Sequence, residues 1–456
     1  MTYLGNSPTT QSFIAGTDYF NGTGSATAFT LSRSVVSVND IQATVNNVVQ
    51  VPNDAYTVSG TTITFTSAPS AGTNNIYVRY LSTTTQSITP SQNTVSYSTL
   101  NSDNQSKLGI SFKNRIINGA MVIDQRNQGA SVTVNADAAF FAADRFQAAG
   151  QATDGVYTIQ QSSTAPAGFV NSIVATVTTA DASIGSTQQY NIQQFIEGYN
   201  TADLNFGSVN AKTVTLSFWV RSSVTGTFSG ALRNSAANRS YPFSYSISAA
   251  NTWTQIAVTI TGDQTGTWLT TNGTGINVIW TLGAGTSRLS TANSWQAGNY
   301  QGVTGQTQWI STLGATFYLT GVQFEVGTQA TTFDYRSIGT ELALCQRYCN
   351  IISFDNDAPV PACFSFSSST ALSGDLLLNV PMRTIPTAAQ TATSYRTNSA
   401  GLNDTVSTTI AIGTQTREQS IRLTVGGFTG ATAGQGANLR IYGSASGSYF
   451  GFTAEL

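Results

Sequence analysis

The chain has 456 residues, of which 40% are hydrophobic and only 9% are charged. Globular proteins carry roughly 25% charged residues, so Thr, Ser, Asn, Gln and Gly must supply most of the surface polarity here. A formal net charge of −2 excludes the basic footprint of a nucleic-acid-binding protein, and the lack of His excludes Ser-His-Asp, Cys-His and His-ligated zinc chemistry.

The composition favours an all-β protein of two to four domains over a disordered one. The 23 Phe and 18 Tyr are too many for a disordered chain, and Thr suits the exposed face of a strand. No apolar run is long enough to span a bilayer, so we expect no membrane insertion. The stretch from Met1 to Ser12 lacks the basic and apolar regions of a secretory signal, so we expect synthesis in the cytoplasm.

The first segment with strict alternation of apolar and polar residues runs from about Ala28 to Leu81. Short strands are predicted at residues 28–32, 46–51, 56–60, 61–66 and 76–80, with turns at Pro52–Asp54 and Ala68–Gly72. This pattern predicts a small N-terminal β-sandwich over residues 1–85. A Ser/Thr/Gln/Asn-rich stretch poor in large apolar residues follows, and it predicts a linker over 86–111.

A larger domain is predicted from 112 to 336, and many short strands over such a span are typical of a two-sheet jelly roll. Its clearest strand is Lys212–Arg221, in which Val214, Leu216, Phe218 and Val220 share one face and Thr215, Ser217, Trp219 and Arg221 share the other. Further strands are predicted at 254–260, 275–282 and 315–326.

One short helix is predicted at Glu341–Tyr348, where Leu342, Cys345 and Cys349 fall on one stripe. It would connect the jelly roll to a C-terminal β-sandwich at 337–456, with strands at 376–381, 408–412, 420–425, 439–442 and 450–456. Paired thiols at this spacing without His are a weak metal signal, so we interpret the cysteines as buried and free. The expected fold is therefore a set of tandem β-sandwich and jelly-roll domains.

Several motifs resemble those of bacteriophage tail-fibre and virion appendage proteins. The Asn-Gly-x-Met and Gln-Arg-Asn-x-Gly elements of Phe112–Gly129 and the Asp-Arg-Phe of 144–146 are similar to the start of a domain found in that family. The Gln-x-Glu-x-Gly of 323–327 and the Cys-Gln-Arg-Tyr of 345–348 resemble its end. The stretches 380–387 and 453–456 are also similar to these proteins, so the resemblance covers the chain from Phe112 onward.

The resemblance implies a jelly roll similar to carbohydrate-binding modules within a homotrimeric fibre on a virion. The implied partners are the chain itself, other tail or capsid proteins and a host-cell surface polysaccharide. The 1–85 sandwich would anchor the chain to the particle, and the 337–456 sandwich would serve in trimerisation or as the receptor-binding tip. The implied function is non-catalytic attachment of the virion to its host, with a purely structural virion component as the alternative.

Sugar binding requires flat aromatic faces for pyranose rings and planar hydrogen-bonding groups for hydroxyls. Trp219 and Arg221 meet this requirement on the polar face of one strand, and Trp253 and Gln255 meet it on the next. These four residues are the glycan-binding candidates, although Trp is largely buried on average and a structural role for each is equally open. Trp280 alternates with apolar neighbours and is predicted to lie in the core, whereas Trp268 and Trp295 could project from loops.

An enzymatic alternative, a polysaccharide depolymerase, would require paired carboxylates, since His is absent. Asp181, Glu197 and Asp203 fall in one stretch, but their spacing does not mark a dyad. Asp355–Asp357 could bind Ca²⁺, but the Gly and Glu of a calcium loop are missing. We therefore expect no catalytic residue, no cofactor and no metal.

Overall fold

The computed structural model describes residues 16–81, 112–136, 139–150, 154–354, 360, 362–390, 394–399, 402–407, 409–413, 416–428, 431–442 and 448–456. The chain divides into two compact units, Met1–Val95 and Ser96–Leu456. The fold is all-β, as predicted, with one α-helix among the described residues. The predicted linker, 86–111, lies outside the described residues, and the predicted domain boundaries remain predictions.

The first unit contains a four-stranded antiparallel sheet, in the order β1-β6-β3-β4, and a two-stranded sheet of β2 and β5. Alternating apolar residues from both sheets, such as Leu31, Ile63 and Ile76, form its core. Its strands are β1 (Thr17–Gly22), β2 (Ala28–Val35), β3 (Ile41–Val45), β4 (Val48–Val49), β5 (Tyr56–Phe65) and β6 (Gly72–Tyr80), with a 3-10 turn at Val38–Asp40.

The strand predicted at 46–51 is confirmed only at Val48–Val49, because Asn46 and Asn47 form the turn between β3 and β4. Both residues have positive φ angles, 49° and 64°, which Asn tolerates better than most other residues. Two successive residues of this kind make the tight hairpin turn that matches the twist of antiparallel strands. The strands predicted at 56–60 and 61–66 are one continuous strand, β5.

The second unit begins with two large sheets, which confirm the predicted jelly-roll strands at 212–221, 254–260, 275–282 and 315–326 to within a few residues. The six-stranded sheet has the order β16-β13-β21-β11-β10-β7, and the seven-stranded sheet has the order β19-β15-β14-β17-β12-β9-β8. The strands are β7 (Val132–Val134), β8 (Phe140–Ala143), β9 (Phe146–Gly150), β10 (Val156–Ser162), β11 (Ser172–Thr179), β12 (Gln189–Glu197), β13 (Val214–Ser222), β14 (Gly226–Arg233), β15 (Arg239–Ile247), β16 (Thr254–Ile260), β17 (Thr274–Ala284), β18 (Leu289–Ser290), β19 (Gln296–Ala297), β20 (Gly302–Val303) and β21 (Thr316–Val326).

The core of the jelly roll lies between these two sheets. On β13, Val214, Leu216, Phe218 and Val220 are fully buried, as their alternation predicts. The Phe218 ring meets the Trp280 ring of the opposite sheet edge-on, with centroids 5.7 Å apart, and Trp280 is buried as predicted. On the outer face of β13, Thr215 and Ser217 are also buried, and only Trp219 and Arg221 are left partly open to solvent or ligand.

The α-helix, α1, spans Ile338–Gln346 and is shifted from the predicted 341–348. Ser337 caps its first turn by accepting a hydrogen bond from the backbone N–H of Thr340. The carboxylate of Glu341 is buried, although Glu341 is not on the stripe of Leu342 and Cys345, because it accepts hydrogen bonds from the backbone of Asn118 and from the guanidinium of Arg336. No helix in the described part of the chain is long and apolar enough to cross a membrane.

The chain continues from α1 into a three-stranded sheet, β22-β31-β25, and a seven-stranded sheet, β27-β26-β30-β23-β24-β29-β28. The strand predicted at 376–381 ends at residue 377, whereas the one predicted at 420–425 is confirmed. The strands are β22 (Cys349–Phe354), β23 (Cys363–Phe366), β24 (Ala371–Leu377), β25 (Thr387–Gln390), β26 (Ser394–Ser399), β27 (Leu402–Ser407), β28 (Thr409–Ile412), β29 (Ser420–Gly426), β30 (Gly436–Tyr442) and β31 (Ser448–Thr453).

Charged groups join the segment after α1 to the jelly roll. The Arg347 guanidinium donates two hydrogen bonds, of 2.9 and 2.6 Å, to the carboxylate of Glu197 at the end of β12. The Tyr348 hydroxyl donates a third, of 2.6 Å, to the same carboxylate. Burial alone would raise the pKa of Glu197, but the bonds from Arg347 and Tyr348 outweigh burial and lower it. Glu197 is therefore ionised in the folded chain at neutral pH.

Candidate outer-face glycan site

The four glycan-binding candidates lie together on the outer face of the six-stranded sheet. β13 pairs with β16 on one side and with β21 on the other. In this register Gln255 lies directly opposite Trp219, and Tyr318 lies directly opposite Arg221. We call the set Trp219, Arg221, Trp253, Gln255 and Tyr318 the outer-face site.

The indole of Trp219 lies beside Gly321, where β21 departs from regular pairing. The register shifts between Ser217 and Trp219, and Gly321 has a φ of 60°. A Cβ on Gly321 would lie only 2.8 Å from Cδ1 of Trp219, so only glycine leaves room for the indole here. The bulge therefore sets where the Trp219 ring lies on the sheet.

A second part of the site is built around Tyr318. The guanidinium carbon of Arg221 lies 5.0 Å from the centroid of the Tyr318 ring, which is a cation–π contact. The Trp253 ring meets the same tyrosine edge-on at 5.9 Å. Nε of Arg221 donates a 2.9 Å hydrogen bond to the backbone oxygen of Asn251, so the guanidinium is held in place.

Exposure of these side chains leaves them available to a ligand. Trp219, Arg221, Trp253 and Tyr318 are half-buried, and Gln255 is exposed. Half-buried rings present a face or an edge to solvent while their orientation is fixed by packing, as a stacking platform requires. The Arg221 and Gln255 side chains supply planar hydrogen-bonding groups at the margin. The arrangement can bind a flat, hydroxylated ring.

Tyr318 is the member of the site that the four sequence candidates omit. Its position between buried Phe317 and Leu319 placed it on the outer face by alternation alone. Its proximity to Arg221 depends on the pairing register of two strands about a hundred residues apart in sequence, and composition does not encode that register.

Two other tryptophans form a separate cluster and do not project freely from loops. Trp268 and Trp295 pack edge-on against each other, at 5.3 Å, and against Phe206, at 5.1 and 5.8 Å. Each indole N–H donates a hydrogen bond to a backbone oxygen, that of Thr265 or that of Thr261. Their polar groups are therefore used within the fold.

The outer side of the seven-stranded sheet carries a buried polar layer that the sequence analysis missed. Asn277 donates to Gln193 at 2.9 Å, Gln193 donates to Gln147 at 2.7 Å, and Asn191 donates to Gln301 at 3.0 Å. Because these amides mainly bond to one another, we assign the layer a structural role.

The carboxylates considered for catalysis are held by three separate sets of partners. Asp181 accepts from the Tyr190 hydroxyl at 2.9 Å, and Asp203 accepts two 2.8 Å bonds from Arg115. Glu197 binds Arg347 and Tyr348 as described above. No hydrogen bond between any two of these three carboxylates is present, and each is oriented by its own partners.

Metal-ligand geometry is absent from the part of the chain that the structure describes, where no group of three or more Cys, Asp and Glu side chains could hold an ion. Asp355–Asp357 lies outside those residues. Cys345 and Cys349 are buried and free, as predicted, whereas Cys363 is free but exposed. Burial raises the pKa of Cys349 to about 12 and that of Cys345 well above its ordinary value.

No protein-family model and no curated protein sequence matches the chain. Among solved structures, the chain is similar to the enzymatically active domain of tailspike protein 4 of bacteriophage CBA120, with 13% identity and a TM-score of 0.26 over 47% of this chain and 21% of that one. It is also similar to a family 11 carbohydrate-binding module from Clostridium thermocellum (12% identity, TM-score 0.22, 43% of this chain and 98% of that one).

A third similar structure is the N-terminal cellulose-binding domain of a Cellulomonas fimi β-1,4-glucanase, with 13% identity and a TM-score of 0.22 over 46% of this chain and 95% of that one. Similarities at these identities and TM-scores carry no argument for function. The geometry of the outer-face site and the sequence motifs must support any functional proposal.

Proposed function

We propose that the chain is a bacteriophage fibre or adhesin subunit that attaches the virion to its host by binding a surface glycan without cleaving it. The observation that carries the proposal is the convergence of Trp219, Trp253 and Tyr318 with Arg221 and Gln255 on one solvent-facing sheet surface. Aromatic rings stack against the C–H faces of sugars, and planar amide and guanidinium groups bind their hydroxyls.

The charge balance of the chain also favours a sugar over a charged polymer as the ligand. With 9% charged residues and a net charge of −2, the chain exerts little long-range attraction on any ion. Binding must then come from short-range stacking and hydrogen bonding, which suit a largely neutral glycan.

The phage assignment rests on the motifs of Phe112–Gly129 and 323–348, and it implies a homotrimer on a virion. A shallow site of this kind binds weakly by itself. Three sites on one fibre raise the effective affinity because the second and third contacts become intramolecular.

The alternative function is that of a structural virion component without its own receptor binding. A depolymerase is less favoured: its general acid needs a raised pKa, whereas bonds from Arg347 and Arg115 outweigh burial and lower the pKa of Glu197 and of Asp203.

The test is binding of the purified chain to host cells and to their extracted surface polysaccharide, with reducing-sugar release followed in parallel. We expect saturable binding without release, and we expect Trp219→Ala to weaken it by at least about tenfold through loss of one aromatic contact. Trp268→Ala is the matched control, since it removes a half-buried tryptophan of the same domain outside the site. Equal loss in both variants, or no binding by the unaltered chain, would overturn the proposal.

A further inference from the structure

A cleft of about 260 Å³ lies where the jelly roll meets the start of α1. Its walls come from the segment at 114–122, the loop at 168–170 between β10 and β11, and the segment at 333–341. Sites for whole drug-sized ligands measure roughly 300–1,000 Å³, so a cleft of this size suits part of a larger ligand.

Three aromatic rings line the cleft. Phe169, Phe333 and Tyr335 form a triangle with ring centroids 5.1, 5.6 and 4.8 Å apart. Tyr335 is 59% exposed, although its hydroxyl donates a 2.7 Å hydrogen bond to the backbone oxygen of Gly168. The exposed tyrosine ring is thus held rigidly and still presents surface to solvent.

A carboxylate with spare hydrogen-bonding capacity lies beside these rings. Among the described residues, Oδ2 of Asp334 accepts one long bond, of 3.4 Å, from the backbone of Asn114, and Oδ1 accepts none. The other charged groups of the cleft, Arg336 and Glu341, are bonded to each other and to the backbone. Asp334 therefore offers an acceptor for a ligand hydroxyl, and its charge disfavours an acidic ligand.

The cleft is continuous with the outer-face site through Gly321. A Cβ at this position would lie 2.7 Å from Cζ of Phe169 and 2.8 Å from Cδ1 of Trp219. The first ring belongs to the cleft and the second to the outer-face site, so the two aromatic groups are direct neighbours across a single glycine. Phe169 in turn packs against Tyr335, so a row of three rings leads from the outer-face site into the cleft.

We propose that the cleft is a second subsite for the same glycan, which must then be a linear chain of several neutral sugars. One part of the glycan lies on the outer-face site, and the next units pass over the Phe169 ring to stack on Tyr335 and hydrogen-bond to Asp334. The inference rests on the proposed function, and it adds that the ligand is a chain of several units and that these units are neutral.

The test is calorimetric titration of the full chain with size-fractionated oligosaccharides from the host polysaccharide. Affinity for the unaltered chain should rise with oligosaccharide length until both subsites are filled. Tyr335→Ala should weaken the binding of long oligosaccharides about tenfold, and it should not change the affinity for the shortest oligosaccharides that bind. Trp219→Ala should weaken binding at every length.

Two further variants control for loss of folding. Tyr199→Ala removes a tyrosine that is 62% exposed in the same unit but does not line the cleft, and it should bind as the unaltered chain does. Asp334→Asn keeps the side-chain volume and should weaken the binding of long oligosaccharides by about fivefold.

Full binding by Tyr335→Ala and Asp334→Asn at every length would overturn the second subsite and leave the proposed function standing, provided that Trp219→Ala still weakens binding. An affinity that does not change with length would also overturn it. Failure of the unaltered chain to bind any oligosaccharide would overturn both proposals.

Discussion

Replacement of Glu197 by Gln tests whether a buried ion pair holds the segment after α1 against the jelly roll. The Glu197 side chain is 1% exposed, and it accepts two hydrogen bonds from Arg347 and one from Tyr348. Breaking a buried ion pair typically costs about 3–5 kcal/mol. Because the Arg347 side chain is 33% exposed, we take the lower end of this range, ~3 kcal/mol, as the cost of losing the pair. Glutamine keeps one acceptor, worth ~1 kcal/mol, and we expect a net loss of ~2 kcal/mol.

Asp203→Asn is the matched control for this prediction. Arg115 donates two 2.8 Å hydrogen bonds to Asp203, so the two pairs share bidentate geometry. They differ in burial, since the Asp203 side chain is 46% exposed. Arg115 is only 8% exposed, but it also donates a 3.0 Å hydrogen bond to the backbone oxygen of Asn200. Because water screens the Asp203 carboxylate, we expect Asp203→Asn to cost less than about 1 kcal/mol.

Urea unfolding followed by tryptophan fluorescence is a suitable assay, because all six Trp residues lie between 219 and 309, within the jelly roll. The signal therefore reports the domain to which Glu197 and Asp203 belong and not the other sandwiches. Equal costs for the two variants, or a cost below about 1 kcal/mol for Glu197→Gln, would refute the argument that burial sets the strength of these pairs.

Two further predictions concern titration and thiol reactivity. Burial raises the pKa of Asp144 to about 6, with Arg126 opposing the shift, so its contribution to stability is present below pH 4 and lost as the pH rises through 6. The free energy of unfolding should therefore fall by up to ~3 kcal/mol between pH 4 and pH 7, and Asp144→Asn should remove this fall. An unchanged pH dependence in the variant would contradict the prediction. A thiol reagent at pH 8 should label the native chain at exposed Cys363 but not at buried Cys345 or Cys349. Cys363→Ser should therefore abolish labelling, and rapid labelling of this variant would show that the buried thiols are reachable.

The sequence predicted the outer-face site well where it depended on alternation within one strand. Period-two alternation put Trp219 and Arg221 opposite a core-forming face, and the structure places them there. Gln255 lies directly opposite Trp219, but β14 and β15, two strands of the other sheet that the sequence did not predict, lie between β13 and β16 in the chain. Local alternation was therefore sufficient to predict the face on which these residues lie, but not which strand pairs with β13.

The cleft could not be predicted in this way, because its walls come from segments far apart in the chain. Phe169 and Phe333 are separated by more than 160 residues, and their contact depends on the order of strands in the sheet. The burial of Glu341 was missed for the same reason. Its partner, the backbone N–H of Asn118, is 223 residues away, and without that partner a carboxylate on a helix is expected to face water.

The placement of the few charges in this chain separates the residues that hold the fold from those proposed to bind. Glu197 and Glu455 pair with Arg347, Arg126 and Arg145 in partly or fully buried contacts where the segment after α1 meets the jelly roll. The outer-face site and the cleft instead offer aromatic rings, the Gln255 amide and two charged groups that form no ion pair among the described residues, Arg221 and Asp334. Glu197→Gln should therefore change stability with little change in glycan affinity, whereas Tyr335→Ala should do the reverse. Because the two effects arise from different residues, each can be measured without interference from the other.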